Sequence, residues 1–308
     1  MTRRAAVLLF GGLATMWGLS FPAISVGLRD LPPLLFAAFR YDVAAVLLLV
    51  YVGATADPGD HLPNEGRDVV AVLAGGVFLV AANGLLFVGQ QTVPSGVAAI
   101  LQGLVPILTT LWALLLLDEQ VTPAGAAGIL LGFVGVGLIV RPDPANLLAS
   151  DLLGKFIILG QVVFVALGGV LVDRAKPTIA STALTGWSMA LGGLLLHAGS
   201  LTAGESLAGA TLSQTAVGAI VYLGVFSTAL AFVVYFTILE RYGALETSLV
   251  AYLVPVVATI AGVVLLDESI TLATIGGFVV VFLGFALLKR RQLADLLGSG
   301  GAVARHGD

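Results

Sequence analysis

The sequence predicts an all-α integral membrane protein of ten transmembrane helices, arranged as two inverted five-helix repeats. Three observations carry that prediction. The first is composition: of 308 residues, 58% are hydrophobic and only 10% charged, with a mean hydropathy of +1.06. A soluble domain carries about 25% charged residues, so this chain lacks the polar groups to cover a water-facing surface. The second is segmentation into ten apolar stretches of about 20 residues, each long enough to cross the hydrocarbon core. The third is an internal repeat, described below. Together they exclude a soluble enzyme, a nucleic-acid binder and a disordered chain.

In chain order the predicted spans are 5–27, 33–53, 68–89, 94–117, 123–140, 152–172, 179–200, 215–239, 243–266 and 270–288. Only 54–67, 141–151 and 201–214 connect them at any length, and none could fold as a separate domain. Met1–Arg4 followed by an apolar run also has the outline of a signal peptide, with Ala23 and Ser25 near a cleavage position. Its removal would leave nine spans and break the repeat, so it is read as the first span. With the amino terminus placed inside, ten of the 14 Lys and Arg fall on the cytoplasmic side: Arg3, Arg4, Arg67, Arg174, Lys176, Arg241, Lys289, Arg290, Arg291 and Arg305. Arg29, Arg141 and Lys155 fall opposite, Arg40 lies within a span, and this bias predicts both termini in the cytoplasm; the expected location is the plasma membrane.

A shift of 149 residues carries Pro106 onto Pro255, Leu117-Asp118-Glu119 onto Leu266-Asp267-Glu268, and Thr122 onto Thr271. It also carries Gly128, Phe133 and Gly135 onto Gly277, Phe282 and Gly284. Upstream, Gly76-Val77-Phe78 maps onto Gly224-Val225-Phe226 at a shift of 148. The units are 1–142 and 143–289, with a short tail over 290–308. Each holds five spans, and an odd number obliges the second to enter the membrane inverted. Inverted repeats are the architecture of many secondary transporters, whose two halves open alternately to either side.

The chain also resembles a known family. Trp17-Gly18-Leu19-Ser20-Phe21-Pro22, Phe36-Ala37-Ala38-Phe39-Arg40-Tyr41 and the paired Pro…Leu-Leu-Asp-Glu-x-x-Thr stretches at 106–122 and 255–271 resemble the EamA family of the drug/metabolite transporter superfamily. The resemblance spans the whole chain and is specific for the family, not for a substrate. It implies helices 1–4 and 6–9 around a central cavity, with helices 5 and 10 outside. It also implies export of amino acids, metabolites or toxic compounds, or movement of sugars or nucleotide sugars. Asp42 departs from the pattern, where an apolar residue is expected, and leaves open an extra proton-coupling group.

Candidate site residues follow from what a bilayer interior tolerates. Pro106 and Pro255 fall near the midplane and release the carbonyls of Gln102 and Ala251. Such groups need protein or a watery cavity to satisfy them, so the prolines mark either a binding site or a packing kink. Pro22 repeats the logic beside Trp17 and Ser20, where Trp17 either stacks on a substrate or packs among helices and lipid. Arg40 and Asp42 are the clearly intramembrane charges, each costing roughly 2.5–3.5 kcal/mol on insertion scales. Arg40 is read as an ion pair or hydrogen-bond hub ahead of an anion site, and Asp42 as a structural or proton-coupling group. Asn83, Gln90, Gln102, Gln161, Tyr235 and Tyr252 are polar groups that should face the interior, as interhelical bonds or as the outline of a cavity with little fixed charge. Such a cavity suits an amphipathic or zwitterionic solute.

Asp118-Glu119 and Asp267-Glu268 resemble catalytic pairs but read as helix-terminal groups. The first precedes Thr122-Pro123, an N-cap with proline at the first helical position. Gly125, Gly128, Gly132 and Gly135, with Thr274, Gly277 and Gly284, form small-residue faces for close helix contact within the fold or across a homodimer.

No cofactor or metal is expected. The chain has no Cys, its three His (His61, His197, His306) lie far apart, and Gly154-Lys155 lacks the rest of a phosphate loop. A net charge of −4 offers no polybasic patch for nucleic acid. The expected function is therefore a secondary active exporter of small amino-acid-like or amphipathic metabolites, working by alternating access within the lipid bilayer, with a proton as a possible coupling ion. The competing reading is an intramembrane enzyme acting on lipid-linked substrates. That reading needs clustered His, Cys or paired carboxylates at one depth, which the sequence does not offer.

Overall fold

A computed structural model describes residues 3–55, 61–117, 120–141, 150–210 and 212–290. The apolar stretches all become helix, because backbone groups in hydrocarbon must find their partners within the segment itself. We label the helices α1 (Ala5–Gly27), α2 (Pro33–Thr55), α3 (Gly66–Gln90), α4 (Ser95–Leu116), α5 (Pro123–Val140) and α6 (Ser150–Ala175). They continue as α7 (Ser181–Thr202), α8 (Gln214–Tyr242), α9 (Glu246–Leu266) and α10 (Leu272–Leu288). Eight are long and apolar enough to cross a membrane; α10 is apolar but shorter, and α7 has 22 residues with Ser, Thr and His197 interspersed. Every predicted span is recovered within three residues at either end. Among the described residues there is no strand.

Short turns make successive helices antiparallel. Odd-numbered helices run from the amino-terminal face to the far face, and even-numbered helices return. Packing follows the repeat: α1 lies on α9 as α6 lies on α4, and α3 meets α6 and α7 as α8 meets α1 and α2. Three pairs join a helix to its own counterpart, namely α2–α7, α4–α9 and α5–α10.

The α5–α10 seam shows the inversion directly. A Cβ added at Gly128 would lie 2.4 Å from the Gly284 carbonyl oxygen, and one at Gly135 would lie 2.7 Å from that of Gly277. The repeat shift exchanges these two contacts, so the seam is its own image about a pseudo-two-fold axis, which requires the two helices to be antiparallel. The small-residue faces are thus used within one chain. Large apolar side chains such as Leu115, Leu130, Leu194, Val264 and Leu272 stay exposed around the bundle, as a lipid-facing surface needs.

Thr122 and Thr271 cap α5 and α10, their hydroxyls accepting from Gly125 N–H at 3.1 Å and Thr274 N–H at 3.2 Å. Asp118 and Glu119 lie outside the described residues. Glu268 does not serve the helix that follows it, as a carboxylate just before a helix start would suggest. Asp267 takes a left-handed conformation (φ 54°) at the end of α9, and the Glu268 carboxylate crosses to the start of α4.

Candidate functional site

The polar interior is built where regular helix fails. In α4 the chain turns at Gly103 and Leu104, whose N–H groups bond three residues back to Ile100 and Leu101. Pro106 then lies in the first turn of the next stretch, Val105–Leu116. Its counterpart differs: Pro255 sits inside the continuous stretch Val250–Leu266, and the turn in α9 comes earlier, at Leu249. In α1 the break is at Leu19, between Gly18 and Ser20, where the Ser20 hydroxyl donates to the Trp17 carbonyl at 2.5 Å. Pro22 leaves the Gly18 carbonyl without its helical partner. Gly18 rests on Val257, with the Val254 carbonyl beside it, so α1 crosses α9 where the two helices carry Pro22 and Pro255.

Two wide turns were not foreseen. Gly75–Val80 in α3 and Tyr222–Leu230 in α8 are π-helical. They contain the repeated Gly-Val-Phe triplets, which was the signal available in the sequence. Gly76 and Gly224 let α7 and α2 approach, against Leu191 and Val43 respectively. π-turns inside α-helices are often found at functional sites.

Four groupings of polar side chains result. Gln102 Nε2 donates to Gln161 Oε1 at 2.6 Å, tying α4 to α6. The Gln161 Nε2 group, on a residue 1% exposed, has no partner among the described residues. Trp17 stands against Phe232 and Tyr235 of α8, with ring centroids 5.9 and 5.5 Å away. Arg40 donates from Nε to Thr228 Oγ1 at 2.9 Å, and that hydroxyl donates to the Leu223 carbonyl within the wide turn. Asp42 points instead to α7, where His197 Nε2 lies 2.7 Å from Oδ2. This last pair escaped sequence reading because 155 residues separate its members.

The remaining expected residues stand elsewhere. Asn83 closes a short tight turn after the π segment of α3, its Oδ1 buried without a partner. Tyr252 packs against Phe282 and Phe285 of α10, with centroids 5.2 and 4.6 Å away, and its hydroxyl is likewise unpartnered. It therefore faces a helix that the family resemblance places outside the cavity. Gln90 ties α3 to α1 through the Phe21 carbonyl and Ser25.

Polar ties close the far face of the bundle. Glu268 accepts from Ser95 N–H and Oγ, both at 2.8 Å, and from Gly96 N–H at 3.3 Å, joining the end of α9 to the start of α4. Glu205 accepts from Leu34 and Leu35 N–H at the start of α2, and Ser213 donates to Asp30. At the amino-terminal face, Asp68 accepts from Thr178 and Ile179 N–H ahead of α7, and Trp187 donates to the His61 carbonyl. Glu268, Glu205 and Asp68 meet N–H groups at or just ahead of helix starts, where the helix dipole favours negative charge, while Asp30 reaches the start of α8 through the Ser213 hydroxyl that caps it. Among the described residues no group of His, Cys, Asp and Glu could hold a metal ion.

Comparison with known proteins accords with this architecture. The profile of the EamA-like transporter family matches residues 4–141 and again 152–290. The chain belongs to that family. Its similarity extends over nearly whole proteins: 30% identity to an uncharacterized transporter of Archaeoglobus fulgidus, over 90% of this chain and 96% of that one. An uncharacterized inner membrane transporter of Escherichia coli, YedA, is 29% identical over 88% and 87% of the two chains. A probable amino-acid metabolite efflux pump of the same species is 25% identical over 92% and 94%. A solved crystal structure superposes with a TM-score of 0.64 at 20% identity, covering 94% of this chain and 99% of that one, which shows the same fold. This EamA-family chain is thus a multi-pass membrane transporter.

Proposed function

We propose that this EamA-family chain is a secondary active transporter that exports small, amino-acid-like or amphipathic metabolites by alternating access. The reading rests on one observation above the others: the two units pack as each other's image, with helices broken at α1, α4 and α9 around a polar interior. An arrangement equivalent to its own inverse can open to either face by exchanging the roles of its halves. The Lys and Arg bias supports an amino-terminal face in the cytoplasm, with the protein in the plasma membrane. The name of the efflux-pump relative supports the amino-acid-like class. Asp42 and His197 would serve proton coupling, because a carboxylate and an imidazole sharing one contact can hold or release a proton together.

The test is flux in proteoliposomes of the purified protein. A screen for ligands that raise the melting temperature selects the solute, since binding to the folded state stabilises it by mass action. Counterflow of that solute, and uptake driven by an imposed pH gradient, are the expected results. Vesicles that move no solute across a panel of amino acids, nucleosides, sugars and cationic drugs would refute the transport reading.

A further inference from the structure

We infer that Arg40 is the anchor for a carboxylate on the transported solute, so that the site takes small organic monocarboxylates. The inference rests on the transport reading and names its substrate class.

Arg40 lies roughly 10 Å inside the α2 start, seven residues on from Pro33. It is 8% exposed, and its guanidinium carbon sits 5.1 Å from the Tyr41 ring centroid and 5.9 Å from that of Phe87. Its Nε is used by Thr228. No carboxylate lies within ion-pair distance of it among the described residues, and its two terminal nitrogens have no hydrogen-bond partner there. The nearest carboxylate in sequence, Asp42, is turned away to His197 on α7. A guanidinium buried without a counter-charge is costly unless an anion completes it. The free edge of the fork presents parallel N–H donors, the geometry that a carboxylate fits with two bonds.

The surroundings choose among anions. Tyr41, Phe87 and the Phe36 ring packed on Phe87 are themselves buried, so the guanidinium lies against an apolar wall rather than in water. Arg40 is the deepest cation among the described residues: Lys155 lies near the start of α6 and is paired with Asp151. A single positive charge matches a monoanion and would leave a phosphate dianion half compensated. Asn83 Oδ1, one turn before Phe87 on α3, and Ser227 Oγ, beside Thr228, are buried polar atoms without partners.

The test uses the full chain in detergent and four probes sharing one ring: 3-phenylpropionate, L-phenylalaninamide, phenethylamine and phenyl phosphate. Arginine-directed labelling with phenylglyoxal, read at Arg40 by peptide mass spectrometry, requires no mutation. We expect 3-phenylpropionate to slow labelling of Arg40 selectively and to raise the melting temperature, while the amide and the amine do neither. Arg40→Gln should bind 3-phenylpropionate roughly tenfold to a hundredfold more weakly, the range for hydrogen bonds to charged groups. Labelling of Arg40 that no carboxylate slows, or that phenethylamine slows equally, overturns the inference even if Arg40→Gln fails to fold. Protection by phenyl phosphate in place of 3-phenylpropionate overturns the carboxylate assignment. Vesicles that move neutral or cationic solutes without competition from carboxylates leave transport standing and remove the anchor. Carboxylate binding at Arg40 without any flux does the reverse.

Discussion

Replacing Gly128 by alanine should loosen the fold in a way that most glycine-to-alanine changes would not. The added Cβ would lie 2.4 Å from the Gly284 oxygen and 2.8 Å from the Leu288 nitrogen, both backbone atoms that no rotamer can move aside. Restoring ordinary contact at 3.4 Å requires the two helices to part by about 1 Å, a gap that forfeits a quarter to a half of each dispersion contact along the seam. Overpacking of this kind costs about 1–3 kcal/mol, set against up to about 1 kcal/mol gained from the better helix propensity of alanine. The net loss should be about 1–2 kcal/mol, a fall of a few degrees in melting temperature. Gly277→Ala, its counterpart in the repeat, should fall by a similar amount, since its Cβ would meet the Gly135 oxygen at 2.7 Å. Gly137→Ala and Gly276→Ala are the controls, because nothing lies within 4 Å of either added carbon. Fluorescence-detected size exclusion after heating reads all four. If Gly128→Ala melts with the two controls, the seam is not backbone on backbone and the self-image argument for inversion fails.

Other expectations follow from the ties and the breaks. Glu268→Gln weakens three charge-assisted bonds to Ser95 and Gly96, so a thiol reagent applied from the far face should reach a cysteine placed inside the bundle severalfold faster; an unchanged rate would show that this contact holds no gate. Asp42→Asn and His197→Gln should each abolish uptake driven by a pH gradient while leaving counterflow intact. Loss of both modes, or of neither, counts against proton coupling. Pro106→Ala should mend the turn in α4 and change transport kinetics more than Pro255→Ala, whose helix is already continuous, with both proteins inserting normally. Equal kinetics in both variants would reduce the prolines to packing kinks.

What the sequence made legible was whatever depends on neighbours along the chain or on its own duplication. Span positions follow from apolar length alone, and the threonine caps of α5 and α10 from local chemistry. The close seam was visible because Gly128, Gly135, Gly277 and Gly284 recur at one shift. The partners of polar groups were not legible, since they lie on other helices. Asp42 finds His197, Glu268 finds Ser95 across 173 residues, and Arg40 finds Thr228 across 188. Helical position tells which way Tyr252 leaves its own axis, but not that α10 lies there with Phe282 and Phe285. The wide turns had no Pro or unusual charge to announce them, only a short triplet that reads equally well as ordinary helix.

The contact between Asp42 and His197 has a consequence outside the protein. Val46, one turn from Asp42, is 62% exposed, and Leu194, just before His197 on α7, is 68% exposed, so the pair opens sideways between α2 and α7. Both partners keep about a third or more of their side-chain surface uncovered, Asp42 roughly 13 Å from the start of α2 and His197 roughly 7 Å from the end of α7. In a bilayer that opening would face acyl chains, and water would reach the pair only as far as the surrounding leaflet lets it. Membrane thickness and fluidity would then act on this pair alongside the amino acids that form it.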